Sequence, residues 1–113
     1  MAKRRRREPV ATVDYTDSEG NVLTLRRELS PGTIRKIDAN SVKAGGSAED
    51  ASQRRTELLF ERLAVSWEVA GLPLTDQAML LGRYRMATPQ ERRWVRRTIA
   101  AHLERFIPEL AEP

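Results

Sequence analysis

Residues 54–75 read RRTELLFERLAVSWEVAGLPLT, and the way that stretch divides decides the fold. At 3.6 residues per turn Leu59, Phe60, Leu63, Ala64 and Trp67 fall on one broad arc, extended upstream by Ser52 and Thr56, as expected of a helix with one face in a core. The helix is expected to start near Ser47, where Asp50 three residues on has the spacing of a capping box, and to run to about Glu68. Gly71 suits the position just past a helix end, and Pro73 cannot continue one. Leu58 and Val65, seven residues apart, lie on the opposite side of that helix among Arg54, Glu61 and Arg62. This second, narrow stripe is either sandwiched within the domain or turned towards a partner.

Upstream the period changes to two. Ala11, Val13 and Tyr15 share one side of a first strand, Leu23 and Leu25 share a face of a second, and DSEGN at 17–21 lies between the two, so residues 10–27 read as a β-hairpin. Two strands alone are marginal in water, and their apolar side needs cover from a helix or another chain. Ser30-Pro31 opens a short helix over 31–38, with Ile34 and Ile37 turned inward. Residues 39–47, which include Gly45-Gly46, read as a flexible link that lets the hairpin and the helical part move relative to each other.

Downstream, Thr75 is expected to cap a helix over 76–86 that buries Ala78, Met79, Leu81 and Tyr84, with Leu80 at the margin of that face. Thr88-Pro89-Gln90-Glu91 combines an N-cap, proline at the first helical position and the glutamate of a capping box. The last helix then spans 89–107, with Val95, Ile99, His102, Leu103 and Phe106 on one face. The expected architecture is α+β and mainly α. An N-terminal β-hairpin packs on a small bundle of three to four helices, in a single domain over 9–113 whose helical part is 48–107.

The chain has 113 residues and a formal net charge of +4. Residues 1–8 hold five of the 20 basic residues and one of the 16 acidic ones, so the remainder is balanced at 15 of each. The basicity therefore belongs to a short arm, Lys3 with Arg4, Arg5, Arg6 and Arg7, which reads as a disordered, solvated segment. No cysteine is present, which excludes a disulfide framework and thiolate metal sites. No apolar run approaches the ~20 residues needed to span a bilayer, and no hydrophobic leader follows the basic start, so the expected location is the cytoplasm, away from membranes.

Catalytic signatures are lacking, and the sequence reads as non-enzymatic with no cofactor and no metal. His102 is the sole histidine and no nucleophile elbow accompanies it, so it reads as a structural, hydrogen-bonded residue. Glu57 and Glu61 share a helical face without the partners of a di-metal site, and Gly45-Gly46 lacks the lysine and hydroxyl of a phosphate loop. Arg92-Arg93-Trp94-Val95-Arg96-Arg97, after a helix and a short turn, offers a nucleic-acid reading as a recognition helix. Against it, the turn has no glycine and, beyond Gln90 in its first turn, the helix lacks the Asn, Gln and Ser side chains that read base edges beside arginine. The candidate nucleic-acid contacts are Arg4, Arg5, Arg6, Arg7, Arg93 and Arg97. The candidate protein contacts are Leu58, Val65, Trp94, which lies off the Val95/Ile99/Phe106 face, and Trp67, which also belongs to the expected core.

Two phrases carry a family resemblance: Thr24-Leu25-Arg26-Arg27-Glu28-Leu29-Ser30-Pro31-Gly32 at the hairpin's end, and the Trp-centred Ser66-Trp67-Glu68-Val69-Ala70-Gly71-Leu72-Pro73-Leu74-Thr75 after the long helix. In this order, over residues 10–107, the chain resembles the small tail assembly chaperones of long-tailed bacteriophages and prophages. The resemblance implies a non-catalytic helper that binds the tape-measure and tail-tube proteins before tail assembly, with self-association as a further possibility. The arm at residues 3–7 falls outside the pattern.

Overall fold

A computed structural model describes the backbone of residues 11–43 and 48–111, and the side chains of that range apart from those of residues 40–43. Its described elements are strands β1 (Thr12–Thr16) and β2 (Val22–Arg26), helices α1 (Pro31–Lys43) and α2 (Ala48–Leu63), strands β3 (Ala64–Val69) and β4 (Leu72–Leu74), helices α3 (Gln77–Arg85) and α4 (Pro89–Phe106), and a 3-10 turn at Pro108–Leu110. The four strands form one antiparallel sheet in the order β1-β2-β3-β4. The α+β class and the helical majority agree with the sequence reading, but the hairpin is half of a larger sheet.

The correction falls within residues 54–75. The helix ends at Leu63 and the chain enters β3 with no intervening loop. Val65, Trp67 and Val69 are β-branched or aromatic residues at period two, which suits a pleated, half-buried surface. Ala70 and Gly71 both adopt positive φ, 53° and 79°, as the two-residue turn of a tight hairpin requires. Beyond them Leu72, Pro73 and Leu74 pair with Val69, Glu68 and Trp67. Pro73 is tolerated because β4 is the edge strand of the sheet, with no strand on its far side among the described residues.

The β1–β2 hairpin turns where the sequence places it. The Asp17 carboxylate accepts from the backbone N–H of Glu19 at 2.8 Å and of Asn21 at 3.0 Å, while Gly20 supplies a φ of 85°. Leu23 faces Trp67 across the sheet and Thr24 faces Ser66, but Leu25 faces Ala64, so Val65 is the extra residue of a β-bulge. The second hairpin is tied to the first, since Asn21 Oδ1 accepts from the Ala70 N–H at 3.0 Å.

The helices follow their caps. Ser30 Oγ accepts from the Thr33 N–H at 3.2 Å to open α1, and that helix runs on to Lys43, so residues 39–43 are helical where the sequence suggested a link. Residues 44–47, including Gly45-Gly46 and the expected cap Ser47, lie outside the described residues. Asp76, rather than Thr75, caps α3 by accepting from the Met79 N–H. Thr88 and Glu91 form the expected reciprocal capping box on α4.

One core unites these elements: Leu23 and Leu25 of β2, Ile37 of α1, Leu59, Phe60 and Leu63 of α2, Trp67 of β3, Leu80 and Tyr84 of α3, and Val95, Ile99 and Leu103 of α4 are all buried. At its centre Phe60 meets Trp67 edge-on, with centroids 5.8 Å apart, and stacks on Tyr84 at 5.1 Å. Ion pairs join helix to helix at its margin, Arg85 to Glu57 at 2.9 Å and Arg83 to Glu91 at 3.0 Å. The helices cover one side of the sheet. The side bearing Asp14, Thr24 and Ser66 is polar, with Thr24 donating to Asp14 at 2.7 Å.

Candidate protein-binding surfaces

The strand at Ala64–Val69 separates the two residues of the expected second stripe. Leu58 sits on α2 half-buried against the core, and Val65 sits on the β3 bulge, so they share no helical face. Trp67 is 1 % exposed and its indole lies under the Arg83 guanidinium, 5.2 Å from the ring, which makes it an internal residue rather than a partner anchor. Its Nε1–H is buried with no hydrogen-bond partner among the described residues.

Trp94 is half-buried and packs against the core margin. With Arg97 it lines a recess of about 260 Å³ between the β1–β2 turn and the start of α4, which Asp17, Glu19 and Glu91 also border. The Glu91 carboxyl is held below the usual range by its hydrogen bond to Arg83 and by the Thr88 backbone N–H, so it is committed to α3 and the cap. Arg92 likewise turns inward, donating to the Ala87 carbonyl at 2.7 Å. Arg93, Arg96 and Arg97 are exposed on α4, and none of the three has an ion pair among the described residues. Arg4, Arg5, Arg6 and Arg7 lie outside the described residues.

His102 is fully buried under the sheet with both ring nitrogens occupied. Nε2 lies 2.9 Å from the Arg26 carbonyl, which can only accept, so Nε2 carries the proton; Nδ1, 2.7 Å from the Tyr15 hydroxyl, accepts from it. No serine or carboxylate takes part, and the arrangement fastens α4 to β1 and β2. Burial lowers the imidazole pKa and Arg105 lowers it further, outweighing the Arg26 carbonyl that raises it. Glu57 is paired with Arg85 and, among the described residues, no three of His, Cys, Asp and Glu gather as metal ligands.

Solvent reaches three large apolar side chains that the sequence reading did not single out as contacts: Leu72 at 72 %, Met79 at 57 % and Met86 at 85 % exposure. Met79 was expected inside; instead Leu80 takes that place, because Tyr84 and not Met79 stacks on Phe60 and sets the rotation of α3. Met79 and Met86 are seven residues apart and so lie two turns apart on one side of α3 and its C-cap. The signal available in the sequence was the apolar run 78–81, which gives that helix no single apolar face. Among the described residues no helix is long and apolar enough to cross a membrane. Comparison with protein-family models, with curated proteins and with solved structures gives no match.

Proposed function

We propose that the protein is a non-catalytic assembly chaperone of the phage-tail type, acting in the host cytoplasm on the tape-measure and tail-tube proteins. The reading rests on the resemblance of residues 24–32 and 66–75 described above. The observation that carries it is the exposed side of α3, where Met79 and Met86 leave flexible thioether side chains in water. Methionine suits a surface that must accept varied apolar sequences, because it is unbranched and repacks easily. Leu72, on the edge strand that precedes α3, adds a third exposed apolar side chain.

The test is co-expression with a helix-rich tape-measure protein encoded beside it. The wild type is expected to keep that client in the supernatant and to co-purify with it, and Met79→Lys with Met86→Lys to lose both effects while melting normally. A client equally soluble without its partner would end this reading.

A second reading is favoured by Arg93 and Arg97, which have no ion pair among the described residues: a small nucleic-acid-binding protein that uses them with the N-terminal arm. It requires duplex DNA binding at ~150 mM salt that weakens on deletion of residues 1–8 or on Arg93→Glu with Arg97→Glu.

A further inference from the structure

A groove of about 180 Å³ lies between α2 and α4, on a different part of the surface from Met79 and Met86. Its walls are two stripes at helical spacing, Ser52, Thr56 and Leu59 on one helix and Arg96, Ala100 and Leu103 on the other. Each stripe runs from a residue to the one seven positions on, about 10 Å or two turns. The groove exists because Ser52 and Ala100 are too small to close the space that the larger Leu59 and Leu103 floor. A space of this size takes one large apolar side chain.

Charge says what enters. Arg96 stands on the rim, and Arg93 and Arg97 occupy the adjacent surface of α4, none of them ion-paired among the described residues. Arg93 and Arg97 are one turn apart, and like charges at that spacing weaken a helix. Elsewhere the chain neutralises arginines at helix contacts, as Arg83 with Glu91 and Arg85 with Glu57. Glu104 of α4 and Arg55 of α2 also line the groove, and Arg55 is engaged by the Leu110 carbonyl and Asp38, so the cations left over for a partner are those of α4.

We propose that the α2–α4 groove docks an acidic amphipathic helix of a partner protein, its apolar face over Ala100 and its carboxylates against Arg93, Arg96 and Arg97. Third helices commonly complete such two-helix grooves, reading out as apolar residues at i, i+3 or i+4 and i+7. The arginines set orientation and speed encounter, and the apolar floor supplies the holding energy. Duplex DNA would engage the arginines but leave the apolar floor unused. The inference rests on the protein-binding reading and adds a site to it.

The probes are two synthetic 18-residue amphipathic helices, identical in their leucine face and carrying either glutamate or lysine on both flanks, and a 20-base-pair duplex. Amide NMR shifts of the full chain are followed at ~150 mM salt. The glutamate peptide is expected to shift residues 52–59 and 96–103 and to bind at least ~10-fold more tightly than the lysine peptide. Ala100→Phe, which fills the groove from an exposed position, is expected to weaken binding by ~10-fold or more, and Arg93→Glu with Arg97→Glu to reverse the preference between peptides. Equal binding of the two peptides, indifference to Ala100→Phe, or duplex DNA shifting the same residues more strongly would each overturn the proposal. Client solubilisation is measured in parallel: if the peptides fail while wild type and Ala100→Phe still keep the tape-measure protein soluble, only the groove assignment falls.

Discussion

His102 makes the structure sensitive to acid through a single side chain. Its pKa in the folded state lies below the ordinary 6.5, so below that value the unfolded chain takes up a proton that the folded chain resists. Stability from this residue is therefore complete above about pH 6.5 and is lost as the pH falls towards the depressed folded value, with a slope of at most about 1.4 kcal/mol per pH unit for one proton. Urea melts between pH 7.5 and 5 are expected to show this decline, and His102→Gln to flatten it. Tyr15→Phe removes the donor to Nδ1 and is expected to cost about 1 kcal/mol at pH 7.5, the usual worth of a hydrogen bond. At Ala70 the opposite change is available. An L-residue with a Cβ is strained at its φ of 53°, and Ala70→Asn, a residue that favours this turn position, is expected to raise stability by about 0.5–1 kcal/mol.

At the scale of elements, local chemistry decided what could be read in advance. Thr88, Pro89 and Glu91 act within four residues of one another, and the cap they form is present; Thr88→Ala is expected to cost about 1 kcal/mol and to lower the melting temperature by several degrees. The Asp17–Asn21 turn is equally self-contained. The junction at Leu63–Ala64 is not. Leu63, Ala64 and Trp67 satisfy a helical arc, while Val65, Trp67 and Val69 satisfy strand alternation, and nothing within the stretch arbitrates. The arbiter is β2, some 40 residues earlier, whose Leu23 pairs with Trp67. Because the expected binding stripe depended on a helix through Glu68, Leu58 and Val65 lost their common face with it. The exposed Met79 was hidden for a related reason: an all-apolar run carries no phase, and the phase of α3 comes from Phe60 stacking on Tyr84.

Across the whole molecule, the hairpin and the helices share one core and are cross-tied by Tyr15–His102 and by the Arg26 carbonyl, which argues against independent movement of two halves. Unfolding is expected to be one cooperative step, with far-ultraviolet circular dichroism and the near-ultraviolet signal of the buried Trp67 melting together. Two separated transitions would contradict it. Trp67→Phe is expected to lower that single midpoint through lost packing, softened because it also removes the buried, unpartnered indole N–H.

The pairing of β2 with β3 also sets a timetable for synthesis. A ribosome adding about 5–20 residues each second needs roughly 2–8 s to pass from the end of β2 to the start of β3. Throughout that interval Leu23 and Leu25 have a hairpin partner but not Trp67, and α3 and α4, which complete the core, are still to be made. The nascent chain is thus at its stickiest in mid-translation, and stalling codons placed within α2 are expected to lower soluble yield more than the same codons placed within α4.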